Sequence, residues 1–446
     1  MSNVKCEVSC KENLCAVNIN IVRVTRTQLF TDHSMSSSTF KFEDFRKQVQ
    51  AVKKSEPEER KPDNGYIISQ ISEQLTSGLW KIYHKTPNTR EVFSSLGLGM
   101  LMAFLKLGTG GKTANEISSR FRFPDNVLLQ DGYSKIFQSL QNSTGDDVEI
   151  TIANGVFAPY CVTFKQDLMQ IGEGLGFQFL NVNFDEPELA AREINKWVQQ
   201  ITDTRILNVI STEDVDKKTR LVLLSTVYFK GVWKKGFSPD DTKSKLFSGK
   251  IIHEVPIMST TYKFPYSKLG NLDCCALGLP YKGDRFMMII LLPNHHDLWT
   301  LEDKLEESMF VNIRKQLKVD KEIYVELPKI RLSSKIELKP FLETVGIHSI
   351  FTTTADFDTM FEKRDNIYVS TAVQQACIEI SEDGDTELPE PLILDPATGC
   401  APVKDKVKAA PFPVKENPKL FIARHTFMFC IYDDKYDSAP IIGICS

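Results

Sequence analysis

Few residues in this chain are spaced for covalent chemistry. Gly108 to Thr113 (GTGGKT) suggests a phosphate-cradling loop, in which backbone N–H groups and a lysine hold a nucleotide. That loop needs a glycine five residues before the Gly of Gly-Lys-Thr, and the position holds Lys106. His295-His296 could present two imidazoles to a metal, but the pair follows Pro293-Asn294 and reads as a solvated turn. Cys6, Cys10 and Cys15 cluster without His or CxxC spacing, so disulfides or free thiols fit better than a metal site. Cys377, Cys430 and Cys445 sit in apolar runs and read as buried thiols. There is no GxSxG elbow and no HExxH helix, and no spacing organises Ser, His and Asp into a triad. The residues therefore point to no enzyme, no metal and no cofactor. Asn142-Ser143-Thr144 is a glycosylation sequon, with Asn142 as the candidate acceptor.

The elements that must position any functional segment fall into two blocks. Ile67, Ile68, Ile71, Leu75, Leu79 and Ile82 recur at helical spacing, and Leu96 to Leu107 forms a second, apolar helix. Gly108, Gly110 and Gly111 end it, and Thr113 with Glu116 has the spacing of a capping box for the next helix. Later, Leu221 to Phe229 and Phe286 to Leu292 are nearly continuous apolar runs that predict strands buried on both faces. Tyr324 to Leu327, Phe427 to Tyr432 and Ile441 to Cys445 predict further strands. Helices early and strands late give an α+β order.

Charge and length bound the function. Lys and Arg number 54 against 58 Asp and Glu, a balance that excludes binding nucleic acid through a basic field. An apolar fraction of 42% excludes bulk disorder. No run approaches the 18 or so apolar residues of a membrane span, so no membrane partner is expected. Residues 1–65 read as an extension. Of the eleven residues from Lys53 to Asp63 eight are charged, too many to offset ordering entropy by burial. A signal peptide is not visible, because Asn18 and Asn20 break the best apolar run, Val17 to Val22.

Several segments taken together resemble the serpin family. Ile194 to Val198 (INKWV), Tyr228 to Gly231 with Trp233 and Phe237, and Ala153-Asn154 with Phe157 are similar to its helix and strand motifs. Leu279-Pro280-Tyr281, Leu292-Pro293-Asn294, Leu327-Pro328-Lys329, Gly346-Ile347 and Ala355-Asp356-Phe357 follow in the family's order. Phe421 to Asp433 resembles the C-terminal signature, with Arg424 and Thr426 where the family usually has Asp and Pro. The resemblance covers about Tyr66 to Ser446 and implies one domain over 66–446, against the three that length alone suggests. It implies three β-sheets, about nine helices and an exposed reactive loop. Inhibitory members are single-use traps: the protease cleaves the loop and is held as an acyl-enzyme, while the loop inserts as a new strand in the central sheet.

Whether this loop can insert turns on Glu382 to Pro391 (EDGDTELPEP). By resemblance Glu382 and Gly384 match the hinge, and Asp385 takes a small-residue position. Thr386, Glu387, Leu388, Pro389, Glu390 and Pro391 then stand where the family has small residues and alanines. Side chains of a strand alternate with period two, so residues 385, 387, 389 and 391 share a face, by resemblance the buried one. Burying Asp385 and Glu387 unpaired costs several kcal/mol effectively, and Pro389 and Pro391 remove ladder donors. A one-residue shift buries Thr386, Leu388, Glu390 and Leu392 instead, with the prolines still in the strand. The family's polar cluster beneath the parting strands, usually Ser, Ser, Asn and His, is matched by Ser94, Gly97, Ser225 and Gln374.

The loop is longer than usual for the family. Counting forward from Gly384 places the scissile bond near Thr398, and counting back from Phe427 places it between Phe412 and Lys415. Lys404, Lys406, Lys408 and Lys415 would suit a trypsin-like pocket, or serve only to keep a long loop soluble. The expectation is a monomeric serpin-fold protein that inhibits weakly or not at all, with an unidentified protein or small ligand as partner. The alternative is a working trap for a trypsin-like serine protease. Resemblance implies an extracellular location, with the cytosol as the alternative that the missing signal-peptide pattern favours.

Overall fold

The computed structural model describes residues 63–85, 92–143, 145, 147–295, 298–363, 366–383 and 418–446. Its first half runs α1 (Asn64–Lys85), β1 (Val92–Phe93), α2 (Ser95–Gly108), α3 (Gly111–Phe121), α4 (Asn126–Gln141) and β2 (Val148–Pro159). There follow α5 (Gln166–Gly174), β3 (Phe177–Val182), α6 (Pro187–Ile201), β4 (Leu221–Gly231), β5 (Lys243–Ser248), β6 (Ile252–Tyr262) and β7 (Tyr266–Leu269). Next come β8 (Cys274–Pro280), β9 (Phe286–Pro293), α7 (Trp299–Asp303), α8 (Met309–Gln316), β10 (Ile323–Pro328), β11 (Ile330–Glu337) and α9 (Leu338–Val345). The chain closes with β12 (Val369–Ile380), β13 (Lys419–Ile422), β14 (Phe427–Asp433) and β15 (Ser438–Cys445).

The strands form three sheets: β11-β12-β4-β2-β3, β1-β15-β14-β9-β8-β7 and β13-β10-β6-β5. β4 explains its own composition. It lies mid-sheet between β12 and β2, and all eleven of its residues are buried, so a nearly continuous apolar run, interrupted at Ser225, Thr226 and Lys230, is what the position requires. One face of this sheet is covered by α6, whose Ala190, Ile194, Trp197 and Val198 pack on Phe157, Val222, Leu224 and Tyr228. On the other side α2, buried around nearly its whole circumference, belongs to the main core with Val227, Phe229 and the six-stranded sheet.

The capping box expected at Thr113 and Glu116 does not form. α3 starts earlier, at Gly111, whose φ of +48° suits glycine. Thr113 Oγ1 accepts the Asp356 N–H at 3.1 Å, and Glu116 accepts the N–H groups of His348 and Ser349 at 2.9 and 2.7 Å. Tertiary partners have taken both side chains. Asp356 also disposes of the phosphate-loop reading, because its carboxylate fills the start of α3: a Cβ on Gly110 would lie 2.7 Å from its Oδ2.

Trp197 fixes α6 to the sheet. Its ring meets Phe157 edge-on at 5.3 Å, and its Nε1 donates to Gln178 Oε1 at 2.8 Å. Trp197→Ala is expected to destabilise the fold by about 3–5 kcal/mol, read as a fall in the urea midpoint.

Candidate functional site

The site is the seam between β4 and β12, which pair directly and in parallel from Val369 opposite Leu221 to Ile378 opposite Phe229. Midway along it Asn154, Ser225 and Gln374 stand side by side on β2, β4 and β12. All three are fully buried, as is Ser94, the N-cap of α2 beneath them.

Gln374 clasps Ser94 at two points. Its Oε1 accepts the Ser94 N–H and its Nε2 donates to the Ser94 carbonyl, each at 2.9 Å. The Ser94 hydroxyl accepts the Gly97 N–H at 3.0 Å, capping α2, and donates to the Pro440 carbonyl of β15 at 3.0 Å. The sequence treats Gly97 as a lost serine; the structure gives it a steric reason. A Cβ there would come within 2.9 Å of both Ser225 Oγ and Val227 Cγ2. Sequence reasoning also left Asn154 as a motif residue only. It shares the row with Ser225, and its amide and the Ser225 hydroxyl have no hydrogen-bond partner among the described residues. Such unsatisfied buried groups weaken the closed seam.

Where β12 ends, the backbone is gripped on its way out. Trp233 Nε1 donates to the Ser381 carbonyl at 2.7 Å, and the Phe237 N–H to the Glu382 carbonyl at 2.8 Å. Trp233 is itself held by Tyr281, stacked at 4.4 Å and 14°. The Glu382 carboxylate, 5% exposed as a residue, meets Lys329 at 2.7 Å and accepts from the Thr242 hydroxyl at 3.0 Å. Burial opposes its ionisation, but Lys329, a backbone N–H and Thr242 outweigh burial and hold it below the usual carboxylate range. Gly384, Asp385, Thr386, Glu387, Pro389 and Pro391 lie outside the described residues, as do Thr398, Lys404, Lys406, Lys408 and Lys415. The flanks of that segment belong to different sheets, β12 to the five-stranded one and β13 to the four-stranded one.

The departures at Arg424 and Thr426 are accommodated. The Arg424 guanidinium sits 2.9 Å from the buried Glu326 carboxylate, which Lys245 meets at 2.6 Å and the Tyr324 hydroxyl at 3.0 Å. Thr426 supplies an N–H to the Ser248 carbonyl at 3.2 Å that a proline would lack. Asn142 caps the exposed end of α4; Thr144 of its sequon lies outside the described residues. His295 is largely exposed and faces Asp273 at 3.4 Å, and no metal-binding group occurs among the described residues. Cys377, Cys430 and Cys445 are buried, as expected, and so is Cys274. Burial pushes the Cys274 thiol up to about 12, leaving it an unreactive thiol at neutral pH.

The profile of the family described as Serpin (serine protease inhibitor) matches residues 73–446. The chain belongs to the serpin family. It is 31% identical to intracellular coagulation inhibitor 2 of Tachypleus tridentatus over 364 residues, which is 79% of this chain and 84% of that one. Among solved structures, Serpin48 of Tenebrio molitor superposes with a TM-score of 0.70 at 25% identity, covering 84% of this chain and 97% of that one. Human thyroxine-binding globulin complexed with thyroxine superposes with a TM-score of 0.74 at 20% identity, covering 85% and 98%. The last likeness shows the fold alone. The expected serpin architecture is present, with three sheets and nine α-helices among the described residues. Serpins are mostly protease inhibitors and not catalysts. No described helix is long and apolar enough to cross a membrane.

Glu382 titrates with a clear sign. Its carboxyl is held lower in the folded than in the unfolded chain, so its stabilisation is full above about pH 4.5 and is lost as pH falls through the folded value. Glu382→Gln should lower stability at pH 7 by about 1–3 kcal/mol and should remove part of the acid sensitivity, as measured by urea melts at pH 7 and pH 3.5.

Proposed function

We propose that this serpin traps proteases weakly or not at all, and that it works as a binding, carrier or decoy module or as a protease substrate. One sequence observation carries the reading: Asp385, Glu387, Pro389 and Pro391 stand at alternate positions, so an inserted strand would carry all four on one face. The core-side rows flanking the seam supply the physical reason. Toward the end where the loop leaves β12 they are Ala376, Ile378 and Ile380 on β12 and Val227 and Phe229 on β4, all buried and apolar, before the rows reach Gln374 and Ser225. A strand entering here would set two carboxylates against hydrocarbon and two prolines where ladder donors are needed. The functional unit is the domain over 66–446, with 1–65 as an extension, and it acts as a monomer.

A second reading has its own support. The 31% identical Tachypleus relative is named a coagulation inhibitor, and Lys404, Lys406, Lys408 and Lys415 would suit a trypsin-like protease. Incubation with trypsin-like proteases distinguishes the two. The first reading expects cleaved chain, no boil-resistant covalent complex on denaturing gels, and a melting temperature unchanged by loop cleavage. Replacing Asp385, Glu387, Pro389 and Pro391 together by Ala should then produce a large rise in that temperature after cleavage. A covalent complex formed by the unaltered protein would sink the reading.

We place the protein outside the cell, by resemblance, with Asn142 glycosylated. Expression in a secreting eukaryotic line should give protein in the medium whose gel mobility shifts on N-glycosidase treatment. Asn142→Gln should abolish that shift.

A further inference from the structure

Where α1 meets β15 there is a small cavity of about 20 Å³, room for about one water. It is lined by Ser69, Ser72, Glu73 and Thr76 of α1, by Ser95 of α2 and by Ala439 of β15, among others. Glu73 is 1% exposed. Its Oε2 accepts the Ala439 N–H at 2.8 Å, while Oε1 has no hydrogen-bond partner.

Among the described residues no neighbour brings a cation onto this carboxyl. From α4 come Ile136 and Tyr133, the latter bonded to Ser72 at 3.1 Å. From β14 come Cys430, Tyr432 and Asp433. The adjacent Arg285 is committed to Asp433, at 3.0 and 2.7 Å, and Lys435 to the Ser139 hydroxyl at 2.5 Å. Tyr436 closes the remaining side. Burial therefore pushes Glu73 up to about 8, despite the Ala439 N–H that pulls the other way.

Ala439 and its neighbour Pro440 also hold the start of α2. Ala439 accepts from the Ser95 hydroxyl and Pro440 from the Ser94 hydroxyl, both at 3.0 Å. Ser94 is the residue that Gln374 clasps at the seam. A continuous hydrogen-bonded path thus runs from Glu73 through β15 and the α2 cap to β12. We propose that Glu73 is a proton-controlled latch on the seam: β12 parts from β4 together with release of Glu73 from Ala439, so deprotonation favours opening. The proposal rests on seam geometry and holds whether or not residues 385–391 can enter the gap.

The sign follows from linkage. In the closed form Glu73 keeps its proton up to about pH 8, and once released into water it titrates near its ordinary value of 4.5. Between those limits opening loses one proton, so the open fraction rises by up to about tenfold per pH unit and levels off above about 8. Hydrogen exchange on the full chain, corrected for intrinsic rates, reads this directly. Protection of the β12 and β4 amides should fall by up to about a hundredfold between pH 6 and pH 8 and then flatten, and Glu73→Gln should hold it constant. Glu73→Met, neutral and of similar reach, replaces the amide variant if that variant does not fold. Seam amides that show no pH dependence in the unaltered chain overturn the latch. So does an equal dependence in the neutral variant, and so does a loss of protection confined to α1 and β15.

Discussion

The pairing of β4 with β12 is the contact around which this molecule is arranged. It must be strong enough to close a central sheet, yet it is the join that an inhibitory relative would have to open. Nine residue pairs of parallel ladder close it, and its middle is crossed by polar side chains that a purely structural sheet would avoid. Ser94 and Gln374 satisfy one another there, whereas Ser225 and Asn154 leave buried polar atoms without partners. A seam built in this way is closed by a few directed bonds placed over an imperfect polar row. Its free energy is correspondingly easy to shift by distant residues that touch those bonds.

Buried carboxylates around the sheets divide into two kinds. Glu326 and Glu382 each have a lysine at bonding distance and at least one further donor, so their charge is matched where it is buried. Glu73 has one backbone N–H and hydroxyl-lined space. The matched pairs tie strands to their neighbours and act as fixed struts. The unmatched one keeps a proton instead, which makes its contribution depend on solution conditions in a way that the struts do not share near neutral pH.

Much of the fold was legible in the residues, because strands buried on both faces declare themselves by continuous apolar runs. Leu221 to Phe229 and Phe286 to Leu292 became β4 and β9. The order of short motifs pointed to the family before any geometry was known. Local rules failed where a distant segment supplied the partner. Thr113 and Glu116 have capping-box spacing, but residues 348–356 claim them both. Gly97 reads as a deletion of function until Ser225 and Val227 are seen to fill the space of its missing side chain. Arg424 reads as a defect in a signature until Glu326 appears beside it. The role of Glu73 was invisible for the same reason, since nothing in an amphipathic helix reveals that one acidic position faces the interior. The hinge remains a matter of sequence, because its residues lie outside those described.

The place of β15 has a bearing on how the molecule is made. It is the last element in chain order, yet it lies between β1 and β14, and α1 grips the turn that leads into it through Ser69 and Gln70 and the strand itself through Glu73. α1 can meet α4, and β1 can meet β11, while the chain is still being made, but their shared support on β15 is missing until the final segment has left the ribosome. Nascent chains must wait with the β15-facing sides of α1 and β1 uncovered, which makes the interval of synthesis itself a time of exposure to chaperones and to one another.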